Sequence, residues 1–191
     1  DVYLDAGSVS ATILSAAGGN FESLAINPAS TTTTITDTLD TTTLDLTASA
    51  SVIEGGTATY TASVDQPVTG SPLSISLSNG LGITIPVGAS SASIRMAAPD
   101  DVYGGGDSLT VTVTGTSGAN YENLVIGNGA AGNPVVTMVT ADSDTTTVGR
   151  SATGGVPEGA GITYTANLDN VPQTPVSVTL SNGATITIAA G

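Results

Sequence analysis

The side chains equipped for chemistry in this sequence are nearly all carboxylates. Glu54 stands in "VIEGG"; Asp100, Asp101 and Asp107 stand in "PDDVYGGGD"; Asp142 and Asp144 stand in "TADSDTTT". The same types return in matching contexts at Glu158, at Asp1, and at Asp37 with Asp40. Carboxylates crowded into one place repel one another unless a hard cation takes up their charge. With no histidine and no cysteine in the chain, the donors on offer are oxygens. That donor set selects Ca²⁺ and disfavours zinc, copper and iron–sulfur centres. Glu54, Asp100, Asp101, Asp107, Asp142, Asp144, Glu158, Asp37, Asp40 and Asp1 are therefore the expected calcium ligands. Extracellular calcium modules bind at ~10⁻⁴ to 10⁻³ M, so such sites are empty in cytosol and filled outside the cell. Asp5, Asp45, Asp65 and Asp169 are expected to be solvated charges that keep strand edges from pairing with other chains. Glu22 and Glu122, in "NFES" and "NYEN", are either further ligands or corner turns beside an aromatic anchor.

The wider charge balance narrows the partners. Sixteen acidic residues face two basic ones, Arg95 and Arg150, for a net charge of −14. Such a chain is repelled by nucleic acid and by anionic membrane surfaces. No apolar run approaches the ~18 residues of a membrane span, so direct membrane insertion is not expected. The absence of histidine, cysteine and lysine removes most bases and nucleophiles. Paired carboxylates hydrolyse glycosides in some enzymes, but here they recur along the chain as a structural site does, and no enzyme is expected. A hydrophobic fraction of 39% argues for a folded chain despite the acidity.

These carboxylates need a scaffold, and the apolar pattern says which. In "TATYTASV" the residues Ala58, Tyr60, Ala62 and Val64 share one face and hydroxyl residues the other. "PLSISLS" and "DSLTVTVT" alternate in the same way, which marks strands buried on one side. Asn79–Gly80 and Asn182–Gly183 lie between such runs as hairpin signals. The expected fold is all-β, an antiparallel β-sandwich of immunoglobulin-like type.

The sandwich is expected in tandem. Asp1-Val2-Tyr3 returns as Asp101-Val102-Tyr103, and Asn20-Phe21-Glu22 as Asn120-Tyr121-Glu122. Asp40-Thr41-Thr42-Thr43 returns as Asp144-Thr145-Thr146-Thr147, Glu54-Gly55 as Glu158-Gly159, and "LSNG" at 77–80 again at 180–183. The repeat is about one hundred residues, the size of an immunoglobulin-like unit. Residues 1–40 read as the C-terminal part of a preceding repeat, 41–143 as a complete repeat, and 144–191 as the N-terminal part of a following one. Neither flank buries a sandwich core alone. Two arrangements satisfy them: neighbouring repeats of one long chain, or pairing of the flanks between copies into filaments by strand complementation.

"ASVIEGGTATYTASV", "LSISLSNGLGITIPVGASSASI", "APDDVYGGGDSLTVTV" and "TADSDTTT" together resemble the tandem extender repeats of giant, type I-secreted RTX adhesins of Gram-negative bacteria, most closely the LapA-type biofilm adhesins. The layout of acids is also similar to Calx-β domains, although "DDVYGGGD" has glycines where a second acid often stands. The resemblance implies immunoglobulin-like units, calcium at or near domain junctions, an extracellular or cell-surface location, and a spacer role in attachment and biofilm formation. A surface- or glycan-binding adhesive module is the competing expectation, served by the threonine-rich faces and by Tyr103 or Tyr121. The short threonine-rich linkers with paired acids favour the spacer, since floppy connectors are rich in Gly and Ser.

Overall fold

Alternating sequence becomes strand throughout the computed structural model, which describes residues 1–191. Before the middle unit come β1 (Gly7–Ala11) and β2 (Thr31–Ile35). The middle unit runs through β3 (Thr41–Ala48), β4 (Ser51–Ile53), β5 (Thr57–Val64), β6 (Leu73–Leu77), β7 (Gly82–Ile85) and β8 (Ser91–Ala97). It continues with β9 (Asp107–Val111), β10 (Val113–Ser117), β11 (Asn123–Ile126) and β12 (Val135–Thr140). After it come β13 (Val148–Ala152), β14 (Tyr164–Leu168), β15 (Val176–Thr179) and β16 (Thr185–Ile188).

Two layers form the middle unit. One is a four-stranded sheet in the order β11-β3-β5-β8. The other is made of two ladders, β10-β6-β7 and β4-β12-β9. These join through β9 and β10, which are one strand interrupted at Thr112. There the backbone exchanges hydrogen bonds with Ser78: Thr112 N–H donates to Ser78 Oγ (3.0 Å), and Ser78 N–H donates to the Thr112 carbonyl (2.9 Å). The register of β10 on β6 slips between Val113 and Gly115, a bulge that lets one strand serve both ladders. Not every pairing is antiparallel. β11 runs parallel to β3, and β4 runs parallel to β12.

The inward residues are those the alternation selects. Leu44, Leu46, Ala58, Tyr60, Ala62, Leu73, Ile75, Ile83, Ile85 and Val111 are buried in a single core of 15 residues between the layers. Each large aliphatic side chain so buried contributes roughly 1.5–3 kcal/mol relative to exposure. The Asn-Gly signal closes the β6–β7 hairpin, but not through a two-residue loop. Gly80 alone has a left-handed φ (82°), with Gly80 N–H donating to the Leu77 carbonyl (3.0 Å) and Leu77 N–H to the Leu81 carbonyl (2.9 Å). That is a type I turn followed by a left-handed glycine. The β15–β16 hairpin repeats it: Gly183 N–H donates to Leu180 (3.0 Å) and Leu180 N–H to Ala184 (2.8 Å).

The flanking strands reproduce the registers of the middle unit. Gly7 pairs with Ile35 in β1–β2 as Asp107 pairs with Val139 in β9–β12. Val148 pairs with Leu168 as Leu44 pairs with Val64, and Val176 with Ile188 as Leu73 with Ile85. Their apolar faces are uncovered, however: Val9, Ile35, Val148 and Tyr164 are all exposed.

Candidate metal centre at one pole of the sandwich

Three segments meet where β4, β8 and β12 end. Glu54 occupies the turn between β4 and β5, and its N–H donates to the carbonyl of Thr140 at the end of β12 (2.9 Å). The next residue, Gly55, donates to the carbonyl of Pro99, just past β8 (3.1 Å). These two bonds tie the Glu54 turn to the chain leading into Asp100–Asp101 and to the chain leading into Asp142–Asp144. Gly55 holds a left-handed φ of 67°, and a Cβ built there would face the Asp100 carboxylate at 3.4–3.6 Å. The space would admit a Cβ, so it is the left-handed turn that calls for glycine.

The result is a concentration of negative charge. Oxygens of Asp100, Asp142 and Asp144 lie within 4.8 Å of one another. A cleft of about 160 Å³ beside them is lined by Glu54, Asp101, Asp142 and Asp144, with Tyr103 and Gly104 on its rim. The aspartates are exposed, whereas Glu54 is only 8% exposed. Burial raises the Glu54 carboxyl above its ordinary value. The N–H of Asp142, 3.4 Å from Glu54 Oε2, acts the other way, while Asp101, Asp142 and Asp100 push it further up by their charge. Asp144 is also raised, first by the charge of Asp142 and then by partial loss of hydration.

This donor set fits calcium. The ion takes six to eight oxygens at ~2.3–2.6 Å, so two oxygens on one ion stand at most about 5 Å apart. Asp100, Asp142 and Asp144 meet that limit as they stand, with no nitrogen or sulfur donor beside them. Asp101 and the half-enclosed Glu54 are within the same cleft.

The remaining expected ligands are placed differently. Asp107 opens β9 opposite Val139, three residues back along β12 from Asp142. At ~3.4 Å per residue that sets it about 10 Å from the pole. Glu158, in the counterpart turn after β13, is exposed and outside the cluster. Asp1, Asp37 and Asp40 gather before the middle unit: the Asp1 amino group lies 3.4 Å from Asp40 Oδ2, and Asp37 Oδ2 accepts from the Asp5 N–H (3.3 Å). Glu122 is neither free nor merely a corner, since its Oε2 accepts from the Asp40 N–H (2.5 Å).

Three acids expected to be solvated also have structural partners, and Asp65 and Asp169 stay exposed while making them. Asp65 accepts from the Thr43 N–H and Asp169 from the Thr147 N–H, both at 2.9 Å. Asp45 accepts from the Asn128 N–H (2.6 Å). The recurrence of Asp65 as Asp169, with threonine twenty-two positions before each, was the available signal.

Comparison with protein families matches the chain to the LapA domain over residues 1–38, 40–141 and 144–191. Comparison with curated proteins gives no match.

Proposed function

The chain belongs to the LapA domain family, and from that premise we propose that it is an extender segment of a large bacterial cell-surface adhesin, stiffened by calcium at the poles and junctions of its repeats. Membership in this adhesin-related family implies a structural, non-enzymatic role at the cell surface. Type I secretion to the exterior is carried over from the resemblance to RTX adhesins, and the reading of calcium as the stiffening ion rests chiefly on one observation. Glu54, Asp100, Asp101, Asp142 and Asp144, from three separate segments, converge where the middle unit leads into the next stretch of chain. Calcium there would tie the Asp142–Asp144 linker to the body of the repeat. Free of the ion, the same carboxylates repel and loosen the linker.

Calorimetric Ca²⁺ titration, paired with small-angle scattering in calcium and in chelator, tests the reading. Binding at ~10⁻⁴ to 10⁻³ M with a longer, stiffer particle in calcium is expected. An unfolding temperature and a scattering profile that both ignore chelation would overturn it.

A second reading is favoured by the uncovered apolar faces of β1–β2 and β13–β14. Because β1–β2 repeats the register of β9–β12, and β13–β16 repeats that of β3, β5, β6 and β7, the two flanks are complementary in outline. Pairing between copies would then build a filament. Sedimentation velocity across a hundredfold concentration range separates this from a monomeric extender.

A further inference from the structure

The Asp-Val-Tyr motif makes one set of contacts twice, in two places where a stretch of one repeat meets the next. Asp1 Oδ1 accepts from the Tyr3 N–H (2.9 Å), and Asp101 Oδ1 accepts from the Tyr103 N–H (2.7 Å). Each aspartate thus closes a local turn that fixes where its tyrosine points. The Tyr3 hydroxyl then donates to the Pro67 carbonyl at 2.7 Å, and the Tyr103 hydroxyl donates to the Val171 carbonyl, also at 2.7 Å. Pro67 and Val171 occupy corresponding places: Pro67 lies two residues after Asp65, and Val171 two residues after Asp169. Both tyrosines are half-buried, and both reach more than sixty residues forward along the chain.

The first junction is further reinforced. Tyr3 stacks on Tyr121 at a centroid distance of 5.7 Å, and the Tyr121 hydroxyl donates to the carbonyl of Gln66, next to Pro67 (2.6 Å). Backbone bonds from Leu4 N–H to Asn120 (3.1 Å) and from Glu122 N–H to Val2 (3.1 Å) add an edge pairing. At the second junction Tyr103 lies beside Asn170 and Val171, the counterparts of Gln66 and Pro67.

We propose that the tyrosine of Asp-Val-Tyr is an inter-repeat latch, whose hydroxyl grips the loop after the second long strand of the following repeat and sets the angle between the two units. The inference rests on the tandem-repeat reading but not on calcium. Position explains why a half-buried loop tyrosine is built this way. Asp101 lines the acidic cleft with one face of the same turn that aims Tyr103, so the latch and the cleft share three consecutive residues.

The chain has no cysteine, which allows spin labels to be placed cleanly at Ser91→Cys on β8 and Ser177→Cys on β15. Pulsed electron resonance distances are measured on the full chain with Tyr103 intact, with Tyr103→Phe and with Tyr103→Ala, each in calcium and in chelator. The expected result is a narrow distribution with tyrosine that broadens in Tyr103→Phe, the latched population falling about five- to tenfold for one lost hydrogen bond. Tyr103 is not part of the core cluster, so the main unfolding transition should not move in Tyr103→Phe, which checks that the unit stays folded. If Tyr103→Phe leaves the distribution as narrow as the parent in both buffers, the latch is refuted. If the parent distribution ignores calcium while Tyr103→Phe broadens it, the calcium reading fails and the latch stands.

Discussion

Glu54 is the residue on which the acidic pole turns, because it is the one carboxylate there that is withdrawn from water. Its carboxyl and that of Asp144 are raised in the folded chain, by burial foremost in the first case and by Asp142 in the second. A raised carboxyl binds more protons folded than unfolded, so ∂ΔG/∂pH of unfolding is negative between the ordinary and the raised values. In chelator, stability should therefore rise as pH is lowered from neutral into the range just above the usual carboxylate values of about 4. Glu54→Gln should flatten that rise and lift the unfolding temperature at pH 7, both read by scanning calorimetry. In saturating calcium the slope should reverse, because protons then compete with the ion for the same oxygens. Placement separates the acids further. Asp144→Asn should weaken calcium binding by about tenfold or more, since affinity follows the count of charged ligands. Asp107→Asn, set back along β9, should leave it within about twofold, and calorimetric titration measures both.

Among the elements, hydrogen bonds from carboxylates to backbone decide more than the alternation reveals. Asp65 and Asp169 each pin the strand that begins their own unit, through Thr43 and Thr147. Asp65→Ala should cost about 1 kcal/mol in urea unfolding of the middle unit, the net worth of one partly exposed hydrogen bond. The strands themselves were legible, since period-two runs such as "TATYTASV" have one energetically sensible placement once a core exists. The hairpin at Asn79–Gly80 was legible too, and the left-handed glycine was implicit in it. What the residue string left hidden was partner choice. Nothing local in "NLVI" says that β11 lies parallel to β3, and nothing in Thr112 marks the point where β9 hands over to β10. Backbone acceptors carry no side-chain signature, so the roles of Asp45 and the two motif tyrosines are closed to composition and spacing, whereas Asp65 leaves only the trace of its recurrence as Asp169. The acidic pole was readable because acids recurred at matching places. Asp107 is close to Asp101 in sequence, but the turn through Val102–Gly106 carries it to a place on β9 opposite Val139.

Over the whole molecule, cohesion is unequal. The 15-residue core lies within residues 44–135, while β1, β2, β13 and β14 expose Val9, Ile35, Val148 and Tyr164. Two-stranded hairpins are marginal by themselves, and only packing against a second layer gives a strand the full protection of its domain. Native-state hydrogen exchange should therefore find the slowest amides in β3, β5 and β6, with opening energies in β1–β2 and β13–β14 near 0–1 kcal/mol. On the calcium reading, an ion held by Glu54, Asp100, Asp142 and Asp144 would bind only when β4, β8 and β12 are in place, and would stabilise the middle unit as a whole by mass action. At tenfold excess over its dissociation constant the slowest amides of β5 should slow by about tenfold, equivalent to about 1.4 kcal/mol. The flanking hairpins, which contribute no strand to the cleft lined by Glu54, Asp101, Asp142 and Asp144, should not respond. Equal slowing across flanks and middle unit would mean that calcium acts through charge screening over the whole acidic chain and not through a site at the pole.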